Sequence, residues 1–238
     1  MPDKETLRES VWDDLEDSGV ARFPFPPQDR IPNVAGAAAA ADRAMALDAL
    51  ADADAVKANP DAPQLPLRRA LLRQGTTVYV AVPRLRDDRP FVELDPAEVT
   101  DPEAAPTVSH MDEYGRQVGP DAVPELDAVV VGSVAVTAEG ARVGKGEGFS
   151  DIEFAVLAEL GTVTGDTPVV TTVHDRQVVS AGAVEPDAHD VPLDVICTPT
   201  RTIRIAAPEA TPTGIDWSKL DAEDRERIPV LGRLAPED

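Results

Sequence analysis

The chain of 238 residues is poor in cysteine, lysine and aromatic side chains. Its single cysteine, Cys197, excludes an internal disulfide and a cysteine-based zinc site. Because Cys197 lies in the apolar run LDVIC, we predict a buried strand thiol rather than a nucleophile. No apolar run reaches the roughly 20 residues of a membrane-spanning helix, and the N-terminus lacks the features of a signal peptide. We therefore expect a cytoplasmic protein with no membrane partner.

Positive charge is also scarce, since 22 basic residues face 44 acidic ones and the net charge is −22. Such a surface repels phosphate backbones, so we expect no nucleic-acid partner. Few lysines among many aspartates, alanines and valines are typical of a halophilic protein, with an acidic mesophile as the alternative. A basic residue in a glycine-rich loop of this chain therefore requires a specific explanation.

Apolar patterning predicts alternating helices and strands. Leu7, Val11 and Leu15 have helical spacing, so we predict a helix over residues 3 to 17. Further helices are predicted over 34 to 52, 65 to 73 and 151 to 160. Buried strands are predicted at TTVYVAV, DAVVVGSVAV, PVVTTV and LDVIC. This order favours an α/β fold with a mostly parallel sheet.

Two segments are predicted to lie outside this pattern. Residues 85 to 125 are polar and rich in proline, so we expect a long excursion with little regular structure. Residues 206 to 238 are charged, with one short helix predicted near Asp216 to Asp224. We divide the chain into an α/β domain, 1–205, and a C-terminal extension, 206–238, that docks on the domain or stays mobile.

The segment Gly144–Asp151 is a candidate anion site. Its three alternate glycines allow positive φ and a close approach to a ligand. Ser150 and Glu153 have the spacing of a capping box, which predicts that a helix starts there. Backbone N–H groups at a helix start, together with Lys145, favour phosphate, although the pattern is neither a Walker loop nor a Rossmann fingerprint. A flexible connecting loop is the alternative on the motif alone.

Short motifs follow one another in order between residues 3 and 203. They are Lys4-x-x-Leu7-Arg8, Pro83-Arg84 after a strand, the glycine loop, Gln177 after another strand, and His189-Asp190 before the last strand and Thr198. The ordered set resembles the 5-formyltetrahydrofolate cyclo-ligase family, whose loop has the form Gly-Arg-Gly-Gly-Gly-Tyr-Tyr-Asp.

The resemblance implies a three-layer α/β/α fold with a mostly parallel central sheet, similar to the ribose-phosphate isomerase and CoA-transferase group. It also implies the ATP- and Mg²⁺-dependent conversion of 5-formyltetrahydrofolate to 5,10-methenyltetrahydrofolate, in which the formyl oxygen is phosphorylated and phosphate then leaves. The expected partner is a small molecule, a reduced folate or a related N-formyl compound. We expect a monomer or a small homo-oligomer.

The resemblance also assigns roles to residues. Lys145 and Asp190 are expected to act in catalysis, Asp151 and Asp190 to hold Mg²⁺, and Asp61 and Phe149 to contact the substrate. The set expected to bind ATP is Lys4, Arg8, Gly144, Lys145, Gly146, Gly148, Phe149, Ser150 and Asp151.

Departures from the family pattern keep other functions open. Ser150 replaces the second tyrosine, and Glu147 stands where the family has glycine or a basic residue. With VKANPD and the segment Gly214–Trp217 followed by IPVL, these features resemble a cyclo-ligase-like paralogue group that has been linked to thiamine metabolism. The alternatives are an ATP-binding protein without cyclo-ligase activity, an enzyme acting on another N-formyl or thiamine-related substrate, and an enzyme that handles CoA or a sugar phosphate.

Overall fold

A computed structural model describes residues 3–206, 208 and 210–236. Residues 1 and 2 of the predicted domain, and 207, 209, 237 and 238 of the predicted extension, lie outside the described residues. The helices are Lys4–Asp17 (α1), Ala37–Met45 (α2), Asp48–Ala51 (α3), Leu65–Gln74 (α4), Met111–Tyr114 (α5), Phe149–Glu159 (α6), Ala222–Arg227 (α7) and Pro229–Leu234 (α8). The longest of these described helices has 14 residues, and none is long and apolar enough to span a bilayer.

The strands form two sheets. They are Ala55–Ala58 (β1), Thr77–Ala81 (β2), Phe91–Leu94 (β3), Arg116–Val118 (β4), Ala128–Val131 (β5), Ala135–Thr137 (β6), Arg142–Val143 (β7), Val169–Thr172 (β8), Val178–Val179 (β9), Val195–Cys197 (β10) and Thr202–Arg204 (β11). The large sheet has the order β11-β10-β8-β5-β1-β2-β3-β4, and the small sheet has the order β7-β6-β9.

The interior of the large sheet is parallel from β10 to β2, whereas β11, β3 and β4 pair antiparallel at its edges. This confirms the predicted α/β class with a mostly parallel sheet. The expectation of little regular structure over 85 to 125 is wrong, because β3 and β4 extend the sheet there. Arg116 and Gln117 leave the outer edge strand polar, which is how exposed sheet edges avoid further pairing.

Helices cover both faces of the large sheet. Successive residues of a strand point to opposite faces, so Val129 and Val131 pack with α6 and the extension. Ala128 and Val130 pack with α2 and α4 on the other face. The chain therefore has the three layers expected, and Cys197 is buried in the second cluster as predicted.

The run DAVVVGSVAV, predicted as one strand, is divided at Gly132 into β5 and β6, which belong to different sheets. A Cβ at Gly132 would lie 2.6 Å from Asp61 Oδ2, so the backbone approaches that carboxylate more closely than any other residue allows. Beyond this point the chain leaves the large sheet. The small sheet and the glycine loop that follows it are thereby placed next to Asp61.

The helix predicted over residues 3 to 17 is confirmed as α1, which packs on the small sheet. Leu7, Val11 and Leu15 share a buried cluster with Val134 and Val143. This packing fixes the N-terminal turn of α1 beside the loop that leaves β7.

The C-terminal extension is docked on the domain. Ile228, Val230 and Leu231 are buried in the same cluster as α6. A short 3₁₀ turn at Trp217–Lys219 and the helices α7 and α8 replace the single helix predicted near 216 to 224. The extension therefore contributes to the core and to the surface around α6.

Candidate functional site

The glycine loop joins β7 to α6, and its backbone is shaped by two glycines. Gly146 has φ of 105° and Gly148 has φ of 70°, values that favour glycine. Gly148 is the N-cap of α6, so the predicted capping box is wrong: Ser150 lies inside the first turn. The other half of that pattern, Glu153, instead forms a buried ion pair with Lys57.

Helix α1 brings two predicted basic residues to this loop. Arg8 Nε donates to the Gly144 carbonyl oxygen at 2.8 Å. Lys4 Nζ donates to Asp190 Oδ2 at 2.5 Å and to Asp187 Oδ2 at 2.8 Å. Burial lowers the pKa of Lys4, but these two hydrogen bonds outweigh it, so the pKa lies above its ordinary value. Lys4 is therefore a permanent cation at the loop.

A cavity of about 170 Å³, here called the Lys4 cavity, lies between these groups. Its lining includes Lys4, Arg8, Gly144, Gly146, Gly148, Asp151 and Asp190 of the predicted set, with Arg142 and His189 in addition. Lys145, Phe149 and Ser150 line the neighbouring cavity described below. The structure thus brings the predicted loop residues together around two adjoining spaces.

Sequence reasoning missed Arg142, a buried residue that lines both spaces. Its Nη1 donates to the Gly132 carbonyl oxygen at 3.1 Å, and its Nη2 forms an ion pair with Asp151. Its Nε is buried and has no hydrogen-bond partner in the described part of the chain. The sequence did contain a signal for Arg142, since it is a basic residue just before the glycine loop of a very acidic chain.

The two predicted metal ligands both line the Lys4 cavity, and both already have cationic partners. Asp151 pairs with Arg142 and accepts from the Val191 N–H at 3.1 Å, while Asp190 pairs with Lys4. The group whose ligand atoms lie within 4.8 Å of one another is Asp187, His189 and Asp190. The assignment of Asp151 and Asp190 to Mg²⁺ stays a prediction.

Glu147 sits between two cations. Lys145 Nζ lies 2.5 Å from Glu147 Oε2, and Arg84 Nη2 donates to Glu147 Oε1 at 3.0 Å. The hydrogen bond from Lys145, aided by Arg84, lowers the pKa of Glu147. Arg84 reaches this position from a left-handed backbone with φ of 60°, a strained conformation for a residue with a side chain. The Glu147 carboxylate is therefore paired with Lys145 and Arg84, the cations that an incoming anion would contact.

The neighbouring space, which we call the first cavity, has a volume of about 320 Å³. It opens beyond the carboxyl ends of β1, β2 and β5. Ligands of α/β proteins bind at this edge of the sheet. Asp61 lines it, and burial raises the pKa of its carboxyl above the ordinary value, opposed by the charge of Arg68. The predicted substrate contact Asp61 thus lies in the same cavity as Lys145 and Phe149.

The floor of the first cavity carries a buried network that sequence reasoning also missed. Lys57 forms an ion pair with Glu153 and donates to Asn59 Oδ1 at 2.6 Å. Asn59 Nδ2 in turn donates to Ser150 Oγ at 3.3 Å. The signal was a lysine within a buried apolar strand, in a chain with four lysines.

The extension builds a third space, here called the extension cavity, of about 630 Å³. It shares Glu147, Gly148 and Asp151 with the first cavity, and Gly148, Asp151 and His189 with the Lys4 cavity. At its edge the Arg227 guanidinium lies 5.7 Å from the centroid of the Phe149 ring. Phe149 is therefore covered by the extension, a contact with no signal in the loop sequence.

Comparisons with known proteins converge on one group. The model of the 5-formyltetrahydrofolate cyclo-ligase family matches residues 3–199. Over 234 residues, 97% of the chain, the sequence is 42% identical to a methenyltetrahydrofolate synthase domain-containing protein of Mus musculus. It is 38% identical to the protein of the same name of Homo sapiens, again over 97% of the chain. The chain spans 63% and 61% of the length of these relatives.

A solved structure shows the same fold. The NMR structure of Aquifex aeolicus 5,10-methenyltetrahydrofolate synthetase is similar with a TM-score of 0.53 and 19% identity. The likeness covers 86% of this chain and 93% of that one.

Proposed function

The chain belongs to the 5-formyltetrahydrofolate cyclo-ligase family. From this premise we propose that it is an ATP- and Mg²⁺-dependent enzyme of the cyclo-ligase type, which converts 5-formyltetrahydrofolate, or a related N-formyl compound, to a cyclised product. The observation that carries the proposal is the convergence of Lys4, Arg8 and Arg142 on the glycine loop, beside a second cavity lined by Lys145.

The cations that line the Lys4 cavity support the binding of a nucleotide phosphate chain there. Catalysis of phosphoryl transfer is mostly positioning and charge neutralisation, which cationic side chains and loop amides provide. The unpartnered Nε of Arg142 is a buried donor without an acceptor, and such groups are costly unless a ligand satisfies them. MgATP would supply the phosphoryl group and part of the positive charge.

The residues divide the work between the two cavities. Lys4, Arg8, Lys145 and the loop amides would hold the phosphates, with Asp151 and Asp190 as Mg²⁺ ligands once Lys4 and Arg142 turn to the phosphates. Asp61 and Phe149 line the first cavity, where the N-formyl substrate would bind. Lys145 also lines the first cavity, so it would neutralise charge that develops on the formyl oxygen.

A second candidate is supported by one specific observation. Glu147 is paired with both Lys145 and Arg84, so it competes with phosphate for their charge. This arrangement favours a nucleotide-binding protein that keeps the fold without cyclo-ligase chemistry.

Phosphate release distinguishes the two candidates. Purified protein is incubated with MgATP, with and without 5-formyltetrahydrofolate, and inorganic phosphate is measured. The cyclo-ligase proposal predicts release that depends on the folate and equals the amount of folate consumed. Protein that binds ATP but releases no phosphate with the folate would support the second candidate.

A further inference from the structure

The Lys57–Glu153 ion pair is a costly feature at the centre of the molecule. Lys57 has 1% and Glu153 7% of its side chain exposed. Replacing a buried ion pair by apolar residues of similar volume is often neutral or stabilising, so such a pair is weak evidence for a stability role. Lys57 is also one of four lysines in a chain of net charge −22. Because stability does not explain this buried pair, we consider a role in ligand binding.

Only one side of the pair faces the cavity. Glu153 lines the first cavity, whereas Lys57 does not. Lys57 donates to Glu153 Oε2, and Glu153 Oε1 has no hydrogen-bond partner among residues 3–206, 208 and 210–236. A carboxylate that is almost fully buried therefore keeps one acceptor oxygen for a molecule in the cavity.

The groups around Glu153 are polar as well. Asn59 holds Ser150 Oγ from behind, and the Asp61 carboxyl faces the same cavity with no side-chain donor bound to it in the described structure. Burial raises the pKa of Asp61, and the negative charge of Glu153, which lines the same cavity, adds to this rise. Beside the cations that line the same cavity, Glu153 Oε1 thus offers a free acceptor to a ligand group that donates.

We propose that Lys57 and Glu153 form a subsite in the first cavity that recognises hydrogen-bond donors of a ligand. This subsite binds a planar nitrogen heterocycle through an amino group and the adjacent ring N–H. Glu153 is the residue in contact with the ligand, and Lys57 is a positioning residue that keeps Glu153 oriented and charged. The subsite deepens the proposed function, on which its natural ligand rests, because the pterin ring of a reduced folate carries this pair of donors.

A matched pair of fragments tests the subsite without any turnover. The probes are 2-aminopyrimidin-4-one and 2-methylpyrimidin-4-one, which have the same shape and differ in the amino group. Their dissociation constants are measured by ligand-observed NMR with the full chain. Because a hydrogen bond to a charged group is at stake, we expect the amino compound to bind about tenfold more tightly or better.

The variant Lys57→Met with Glu153→Leu removes the pair without leaving a buried unpaired charge. It should lose the preference between the fragments while keeping its thermal protection by ATP, which reports on the glycine loop. Arg73→Ala with Glu103→Ala, an exposed pair outside the cavities, is the matched control and should keep the preference.

Three results would overturn the subsite: equal binding of the fragments to the wild type, binding of neither, or a preference that survives in the double variant. The phosphate-release experiment tests the proposed function independently of the subsite. A protein that releases no phosphate can still be tested for the fragment preference, so the two failures are distinguishable.

Discussion

At the scale of single residues, the scarce lysines of this chain are concentrated at the site. Lys4 and Lys145 line the two adjoining cavities, and Lys57 lies beneath one of them. The sequence motifs were sufficient to predict Lys4 and Lys145. Lys57 was not predicted, because no local sequence pattern indicates the partner of a single charge in an apolar strand. Its partner, Glu153, is 96 residues away.

Lys145 and Glu147 should have opposite effects on nucleotide binding. Lys145→Ala should abolish the rise in Tm that ATP gives, since it removes a phosphate partner. Glu147→Gln should increase the rise, since Lys145 and Arg84 are then no longer held by a carboxylate. Thermal unfolding with and without ATP measures both. An unchanged ATP effect in Lys145→Ala would remove that lysine from the site.

Asp61 should make stability depend on pH in a defined direction. Its folded-state pKa lies above the ordinary value of 3.8, so the stability it contributes is present below pH 3.8 and is lost as pH rises through the folded pKa. Asp61→Asn should therefore raise Tm at pH 7, with no comparable gain below pH 3.8. A loss of Tm at pH 7 would mean that the ionised carboxylate is stabilised in the folded state.

At the scale of elements, continuous apolar runs were enough to predict the buried strands β2, β5, β8 and β10. Local patterns failed where a distant residue competes for the same group. The capping box of Ser150 and Glu153 does not form, because Glu153 is used by Lys57. The strand over 127 to 136 is divided because Gly132 meets Asp61, a contact absent from any sequence window.

The docked extension leads to a test of its packing. Leu231 is fully buried in the main cluster, so Leu231→Ala should lower the free energy of unfolding by about 2–5 kcal/mol. Val108, which is 61% exposed, provides the control, and Val108→Ala should change it by less than about 0.5 kcal/mol. Chemical denaturation measures both variants. Equal effects would show that the extension is not part of the core.

At the scale of the whole molecule, the net charge of −22 works against compactness. Salt screens this repulsion, since the Debye length falls from about 10 Å at 0.1 M to about 3 Å at 1 M. We expect Tm to rise as KCl increases from about 0.1 M to about 1 M. A Tm that is constant or falls over this range would contradict the predicted halophilic character.

The net charge also bears on the site. Cations gathered around the glycine loop of so acidic a chain give this place an anion-binding character, and the paired carboxylates decide how much of it is available. Whether the family chemistry operates here therefore depends on the competition between phosphate and Glu147 for Lys145.

Cyclo-ligase activity can be followed as absorbance in the methenyltetrahydrofolate band, with wild-type protein, MgATP and 5-formyltetrahydrofolate in concentrated salt. We expect a rise that requires ATP and is abolished by Lys145→Ala and by Asp190→Ala. A flat trace from folded protein whose Tm still responds to ATP would contradict it.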